Sequence, residues 1–339
     1  MKVRDMGEFP LIDRISSLLV ARDEEVICGI GDDAAVLVLD GERALLVTVD
    51  ALVEGVHFTL RTHTPYQLGY KAMAVNVSDI AAMGGEPKYA FVSLSIRSDL
   101  SVRFVEEMYA GMEDMARESG ISIVGGDTTE SRGELFISVA LIGECLKEEV
   151  VYRSGARPGD AILLTGPVGD SAAGLFILSG SNPGGLSGEE IEYLKLRHLM
   201  PRPRLCAARR IASLKLAHAM IDVSDGVSSE INHICRMSGV GAEIYAERVP
   251  ISEPTRKLAS AHGISPLRFA LDGGEDYELL LTASEEVVGR IGSELAGLGL
   301  QVSVIGRITS PERGCVLKDK EGEIVLRPGG FSHFTSNGK

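Results

Sequence analysis

The stretch GIGDDAAVLVLDGERALLVTVD, residues 29–50, offers two incompatible folds. Its first six residues fit G-x-G-x-x-A, and Asp50 lies 16 residues beyond Ala34, the outline of a dinucleotide-binding turn. Such a turn must open a helix whose N-terminus receives the pyrophosphate. Here Val36-Leu37-Val38-Leu39 follows, which reads as a strand, and Asp40-Gly41 then forms a turn into a second strand. Adjacent Asp32 and Asp33 would also repel a pyrophosphate. The reading is a strand hairpin, not a nicotinamide or flavin site.

Working outward, 65–83 has a helical pattern with Pro65 in its first turn. Strands are expected at 88–96, 121–124 and 135–145, and an amphipathic helix at 101–119, with GGDTTESRGE as a loop between the last two strands. The charged segment 147–160 ends in a Pro-Gly turn and is the best linker candidate. Beyond it, a strand (161–165), a helix (170–179), two helices split by Pro201 and Pro203, and a strand (218–221) running into DVSDG lead to further alternation. The fold class is α/β (α+β), divided as 1–147 and 148–339. NVSD at 76–79 and DVSD at 222–225 echo one another, too briefly to make a repeat.

With 339 residues, two domains are expected. The 34 Lys and Arg against 48 Asp and Glu leave a formal charge of −14, which argues against a nucleic-acid or anionic-membrane binder. Five dispersed cysteines contain no Cys-x-x-Cys, so no zinc clamp or thioredoxin-type motif is written here. MKVRDMGEFPLIDR has no apolar h-region, and the uncharged stretch 171–188 is too broken by Gly, Ser, Asn and Pro to span a membrane. A cytoplasmic setting is expected.

No P-loop, kinase HRD or DFG, H-E-x-x-H or G-x-S-x-G occurs, and DVSDG fails as a calcium loop because its twelfth position is His233. What stands out is a set of aspartates expected at strand-to-loop junctions: Asp32, Asp33, Asp50, Asp79, Asp127, Asp222 and Asp225. One such residue is ordinarily a turn former or helix cap. A set of them suits Mg²⁺, which takes carboxylates together with waters and substrate phosphates, and the ions supply the positive charge an acidic chain lacks. Other residues leave two readings open. His57 is a packed loop histidine or a substrate contact, and GDSAAG (170–174 with Gly169) is a phosphate-binding helix start or an ordinary cap. Arg153 is solvated linker charge unless a cleft reaches it. GGEDYE at 273–278 is too acidic for a plain turn.

The motifs GIGDDAA, DALVEGVHF, YKAMAVNVSDIAAMGG, GGDTT, RSGARPGD, TGPVGDSAAG, IDVSDG and DGGEDYEL, in this order, resemble the thiamine-monophosphate kinase family. That family sits in the superfamily of aminoimidazole-ribonucleotide synthetase and selenophosphate synthetase, and the likeness runs from GEFPLIDRI at residue 7 to GGFSHF at 334. It implies a two-domain aminoimidazole-ribonucleotide synthetase-like chain that pairs through its N-terminal domain in a homodimer, binding ATP and several Mg²⁺. By position, the implied metal ligands are Asp33, Thr48, Asp50, Asp79, Asp127, Asp222 and Asp225. ATP contacts would be Tyr109, Gly126, Asp127, Arg153 and Ser224, and contacts to thiamine monophosphate His57, Glu275 and Phe331. Two positions depart from the pattern. Val49 replaces a frequent hydroxyl residue, and Phe331 replaces a frequent Trp or Tyr, which keeps stacking but removes a ring hydroxyl.

The implied reaction needs no strong base. A phosphate monoester has a second pKa of about 6 and is already anionic. Two charged phosphates must be brought in line, with Mg²⁺ and Arg153 offsetting their repulsion, so no catalytic base or nucleophile is assigned. The thiazolium would meet Glu275 and stack on Phe331. Two other readings stand beside this one: another ATP-using synthetase of the superfamily, against which EGVHF and GGEDYEL argue, and a non-catalytic metal-binding scaffold.

Overall fold

The computed structural model describes residues 2–19, 24–331 and 333–334. The N-terminal sheet comprises β1 (Val26–Cys28), β2 (Ala35–Val38), β3 (Arg43–Val53), β4 (Glu86–Ile96), β5 (Ser122–Glu130) and β6 (Phe136–Leu146), in the order β1-β2-β3-β6-β4-β5. The hairpin read from 35–50 is β2 and β3, paired antiparallel from Ala35↔Val47 to Val38↔Ala44. Its turn is fixed by Asp40, whose carboxylate accepts from the N–H groups of Glu42 and Arg43.

Helices α1 (Glu8–Leu18), α2 (Pro65–Ala82) and α3 (Val102–Ser119) accompany this sheet. Thr64 caps α2, its hydroxyl accepting from Gln67 N–H while the Gln67 side chain returns to Thr64, with Pro65 at the first position. Helix α2 is apolar nearly all round because it is covered nearly all round: it packs on β3 and β6, and from its other side on β8 and α6 of the second half. Ala81 and Ala82 at its end belong to the core of the C-terminal sheet.

That second sheet runs β13-β12-β9-β11-β7-β10-β8, from β7 (Ala161–Leu164), β8 (Ala219–Asp222), β9 (Gly241–Tyr245), β10 (Leu279–Ala283), β11 (Ser303–Thr309), β12 (Cys315–Lys318) and β13 (Glu323–Val325). Helices α4 (Asp170–Leu178), α5 (Gly188–Leu199), α6 (Leu205–Ser213), α7 (Val227–Ser238), α8 (Glu253–Ala261), α9 (Pro266–Asp272) and α10 (Glu285–Ala296) surround it. Ile211 of α6 and Ile291 of α10 fill one face of the sheet, and Val227 and Ile231 of α7 the other.

Three expectations change. GGDTT is strand, not loop, because β5 continues beside β4 in parallel register from Tyr89↔Ser122 to Ile96↔Glu130. Gly126 permits this: a Cβ there would sit 1.9 Å from the Val92 carbonyl oxygen, at φ +153°. Asp50 lies inside β3, opposite Val139, and Asp79 within the last turns of α2, so neither marks a strand-to-loop junction.

The helices cover only one face of the N-terminal sheet. On the other, Val49, Ala140, Phe91 and Gly125 stand in register across β3, β6, β4 and β5. Val49 is 61% exposed, Tyr89 52% and Phe91 41%. An apolar sheet face left open in this way asks for a partner.

Candidate active site

Asp33, Asp79 and Asp222 each present a carboxylate oxygen, and the three atoms lie within 4.8 Å of one another. They come from the loop before β2, from α2 and from the end of β8, so both sheets contribute. Thr48 Oγ1 donates to Asp79 Oδ2 at 2.6 Å, and Ser78 Oγ donates to Asp222 Oδ2 at 2.5 Å. Asn76, one turn earlier, accepts from Asp50 N–H at 3.0 Å. Thr48 and Asp50 share one face of β3, whereas the Val49 side chain stands on the opposite, open face.

One cation enters the group. Arg153 Nε donates to Asp33 Oδ1 at 3.1 Å, its terminal nitrogen reaches the same oxygen, and its N–H donates to Asp32. Arg153 is therefore a cleft residue, not solvated linker charge. Arg153 and the Ser78 and Thr48 hydroxyls offset the other carboxylates only in part. Burial pushes Asp222 up to about 8, with Asp33 adding to it, and Asp225 up to about 7. Asp50 rises to about 6 by burial and the Asp33 charge. Asp79 is held well above the ordinary range by burial and by Asp50, Asp222 and Asp33 together. Among the described residues Asp33 Oδ2 is buried without a hydrogen-bond partner. Converging buried carboxylates with a free oxygen fit a hard divalent cation.

The loop after β8 extends the group. Asp225 N–H donates to Glu230 Oε1 at 2.8 Å, and Ser224 accepts Glu275 N–H on its carbonyl at 2.7 Å. Glu230, buried on α7 and pushed well above its ordinary range by burial, is a site residue the sequence reading missed. Gly330 closes against this loop, where a Cβ would lie 1.9 Å from the Asp225 carbonyl oxygen.

His57, Glu275 and Phe331 gather beside it. The His57 and Phe331 ring centroids are 6.2 Å apart, and His333 packs on both at 5.2 and 4.8 Å. His57 Nδ1 accepts from Val53 N–H at 3.0 Å, which fixes the ring. The charge of Glu275 reaches His57 and Asp225, placing it between the aromatic group and the acidic one. Two partners hold Glu275 that the sequence reading also missed: Lys71 Nζ at 2.6 Å and His198 Nδ1 at 3.2 Å. A lysine in the middle of the otherwise uncharged helical run YKAMAVNV was the available signal.

Other residues lie elsewhere. Tyr109 on α3 packs against the N-terminal core. Gly126 and Asp127 lie on β5, three strands from β3 and about 14 Å away at ordinary strand spacing. Asp127 pairs with Ser93 on the open face, opposite to Thr48 and Asp50. The start of α4 is no phosphate cradle: the Asp276 carboxylate already accepts from Gly169 and Ser171 N–H at 2.6 and 3.1 Å. The acid of GGEDYE thus divides, Asp276 capping α4, Glu278 pairing with Arg197 and Arg204, and Glu275 facing the cleft. Surface depressions of about 390 and 560 Å³ near α8 contain none of these residues.

Residues 31–145 match the family described as AIR synthase related protein, N-terminal domain, and residues 157–318 its C-terminal domain. The chain is 39% identical over 331 residues to the thiamine-monophosphate kinase of Bacillus subtilis (strain 168), covering 97% of this chain and 100% of that one. A solved structure described as AaThiL complexed with AMPPCP and TMP is similar at TM-score 0.85 and 36% identity, over 98% and 99% of the two chains. The crystal structure of thiamine monophosphate kinase from Aquifex aeolicus is similar at TM-score 0.80 and 35% identity, over 96% and 100%.

Proposed function

The chain belongs to the thiamine-monophosphate kinase family, and we infer from its cleft that a direct, in-line phosphoryl transfer is assisted by several Mg²⁺ ions. It is a thiamine-phosphate kinase that uses ATP to convert thiamine monophosphate to the diphosphate. The observation that carries the metal reading is the convergence of Asp33, Asp79 and Asp222 on one point between the sheets.

These three would hold metal, with Thr48, Asp50 and Asp225 around them. Bound Mg²⁺ supplies positive charge to phosphates that would otherwise repel the cluster and each other. Arg153, already inside the cleft, adds a fixed cation and Ser224 a loop hydroxyl toward ATP. The acceptor phosphate is anionic at neutral pH, so the residues' task is to align it, not to deprotonate it. His57, Glu275 and Phe331 would bind the organic part of the acceptor. The boundary between the two domains is placed at 147/148.

A homodimer accompanies this reading. The open apolar face around Val49, Phe91 and Tyr89 supports pairing of two N-terminal sheets. Asp127 and Gly126 are too far along the sheet to join their own chain's cluster. We place them at the nucleotide end of the site across that interface; Tyr109, on the helix-covered side of the sheet, does not face it.

The test is direct. Purified protein with ATP, Mg²⁺ and thiamine monophosphate should yield thiamine diphosphate and ADP in equal amounts, while free thiamine, whose hydroxyl needs a base, should be a poor acceptor. Equal rates with thiamine and its monophosphate would refute the metal-and-anion reading. Nucleotide-independent metal binding without turnover would favour the scaffold.

A further inference from the structure

Lys71 is a lysine with no exposed surface, set in the uncharged run of α2 that precedes Asp79. Long cationic side chains are almost never fully buried unless paired. Its partner is Glu275, at 2.6 Å, whose other oxygen lies 3.2 Å from His198 Nδ1. Burial and the Lys71 charge hold His198 far below its usual range, so it stays neutral and adds no charge to the pair. Its Nδ1 is fixed in turn beside Ser171 Oγ at 3.1 Å. The backbone of Glu275 is constrained as well, at φ +66°, with its N–H on the Ser224 carbonyl. A non-glycine residue held in that region marks a position determined by its surroundings. The side chain keeps 26% of its surface exposed, and its charge reaches His57, the ring beside Phe331.

The charge count decides what Glu275 can do. With Lys71 beside it the pair is neutral, so it offers little net attraction to a thiazolium. Each carboxylate oxygen still has a lone-pair site to spare. The pair is therefore a rigid, uncharged hydrogen-bond acceptor. The organic part of thiamine monophosphate carries one N–H donor group, the exocyclic amine on its pyrimidine, and its thiazolium has none.

We propose that Lys71 and His198 are positioning residues that fix Glu275 as the acceptor for this exocyclic amine, making it a specificity determinant of the acceptor site. This rests on the kinase reading above and specifies which part of the substrate Glu275 reads. A site built to accept an N–H group rejects an analogue that presents a carbonyl oxygen there, because two acceptors then face one another.

The experiment compares thiamine monophosphate with the analogue whose pyrimidine amine is replaced by an oxo group, at saturating ATP and Mg²⁺. Wild-type protein should prefer the amine by about 10²-fold or more in kcat/KM. Glu275→Gln, whose amide can meet either group, should reduce that preference to within about tenfold, with KM for ATP unchanged within about twofold. Lys71→Met should lower the preference at least about tenfold through KM for the acceptor, and Lys71→Arg should retain most of it. Should Lys71→Met not fold, the double variant Lys71→Met/Glu275→Gln leaves no charge unpaired and should match Glu275→Gln in every constant. An undiminished preference in Glu275→Gln or Lys71→Met overturns the proposal, as does a further loss in the double variant. Absence of turnover with both compounds in wild-type protein overturns the kinase reading with it.

Discussion

Ser78 Oγ and Asp222 Oδ2 are 2.5 Å apart although 144 residues separate them, and this contact joins α2 of the first sheet's layer to β8 of the second sheet. The next residue of α2, Asp79, turns to Thr48 on β3. Successive helical positions are rotated by about 100°, so Ser78 and Asp79 address the two sheets at once. Helix α2 thereby sets the width of the cleft, and the acidic cluster forms along its last turns.

If Asp79 and Asp222 hold the same metal and phosphate, then Asp79→Asn and Asp222→Asn should each raise the Mg²⁺ requirement and lower kcat. A loss of about 3–4 kcal/mol of transition-state stabilisation corresponds to about 10²–10³-fold. The double variant should fall well short of the product of the single effects. Metal-free thermal stability should hold, and rise at a pH where the carboxylates are ionised, since each change then removes one charge from a crowded group. Steady-state kinetics over a Mg²⁺ titration, with melting curves in chelator, check this. A large drop in metal-free melting temperature would point to structural capping instead.

The pH dependence has a definite sign. Asp222 sits at about 8, Asp225 at about 7 and Asp50 at about 6, all raised above the roughly 3.9 of an unfolded aspartate. The native state then keeps protons that the unfolded chain has released. Their contribution to stability is fully present below about pH 4 and is lost as pH rises through 6 to 8. Metal binding requires the deprotonated carboxylates. The rise in melting temperature on adding Mg²⁺ should therefore be small at about pH 6 and large at about pH 8.5. A Mg²⁺ effect that is flat across this range would show that these carboxylates do not bind it.

Arg153 is the cation paired with Asp33, whose carboxylate is fully buried. Removing one partner of a buried pair typically costs about 3 kcal/mol, because the other charge is left uncompensated. Arg153→Met should accordingly lower the metal-free melting temperature, and less so as the pH falls, because Asp33, whose pKa burial raises, can then take a proton instead. Mg²⁺ should restore most of the loss by taking over the neutralisation, while KM for ATP stays elevated. Melting curves with and without Mg²⁺ and an ATP titration read both effects.

The contrast between these residues and Lys71 shows what a sequence conveys. The hairpin at 35–50, the helix at 65–83 and the aspartates were legible because strand alternation, capping and clustered carboxylates leave local marks. The acid of GGEDYE was legible as a segment, but Glu275 was singled out within it only through family motifs, and its partners Lys71 and His198 not at all. Those contacts join α2, α5 and the loop before β10, and no local pattern encodes a pairing across 204 positions of chain. The loop expected at GGDTT gives way to a strand for a related reason. Two glycines and an aspartate have poor strand propensity, and only the ladder to β4, with Gly126 against Val92, makes them strand.

Asp127 supplies the last prediction. It stands on the open face of the N-terminal sheet, in register with Ser93, whereas Thr48 and Asp50 occupy the covered face about three strands away. We propose that an aspartate so placed serves the nucleotide site of a neighbouring copy paired through that face. Asp127→Asn and Asp222→Asn homodimers should then each be nearly inactive. Mixed dimers should recover one intact site, built from Asp222 of one chain and Asp127 of the other, and lose both residues from the second. With random exchange of equal amounts, about half the dimers are mixed, so about a quarter of wild-type activity should return. Phe91→Glu on the same face should give a monomer by light scattering and abolish the recovery. Mixtures no more active than the separate variants, despite proven subunit exchange, would place Asp127 outside the active site.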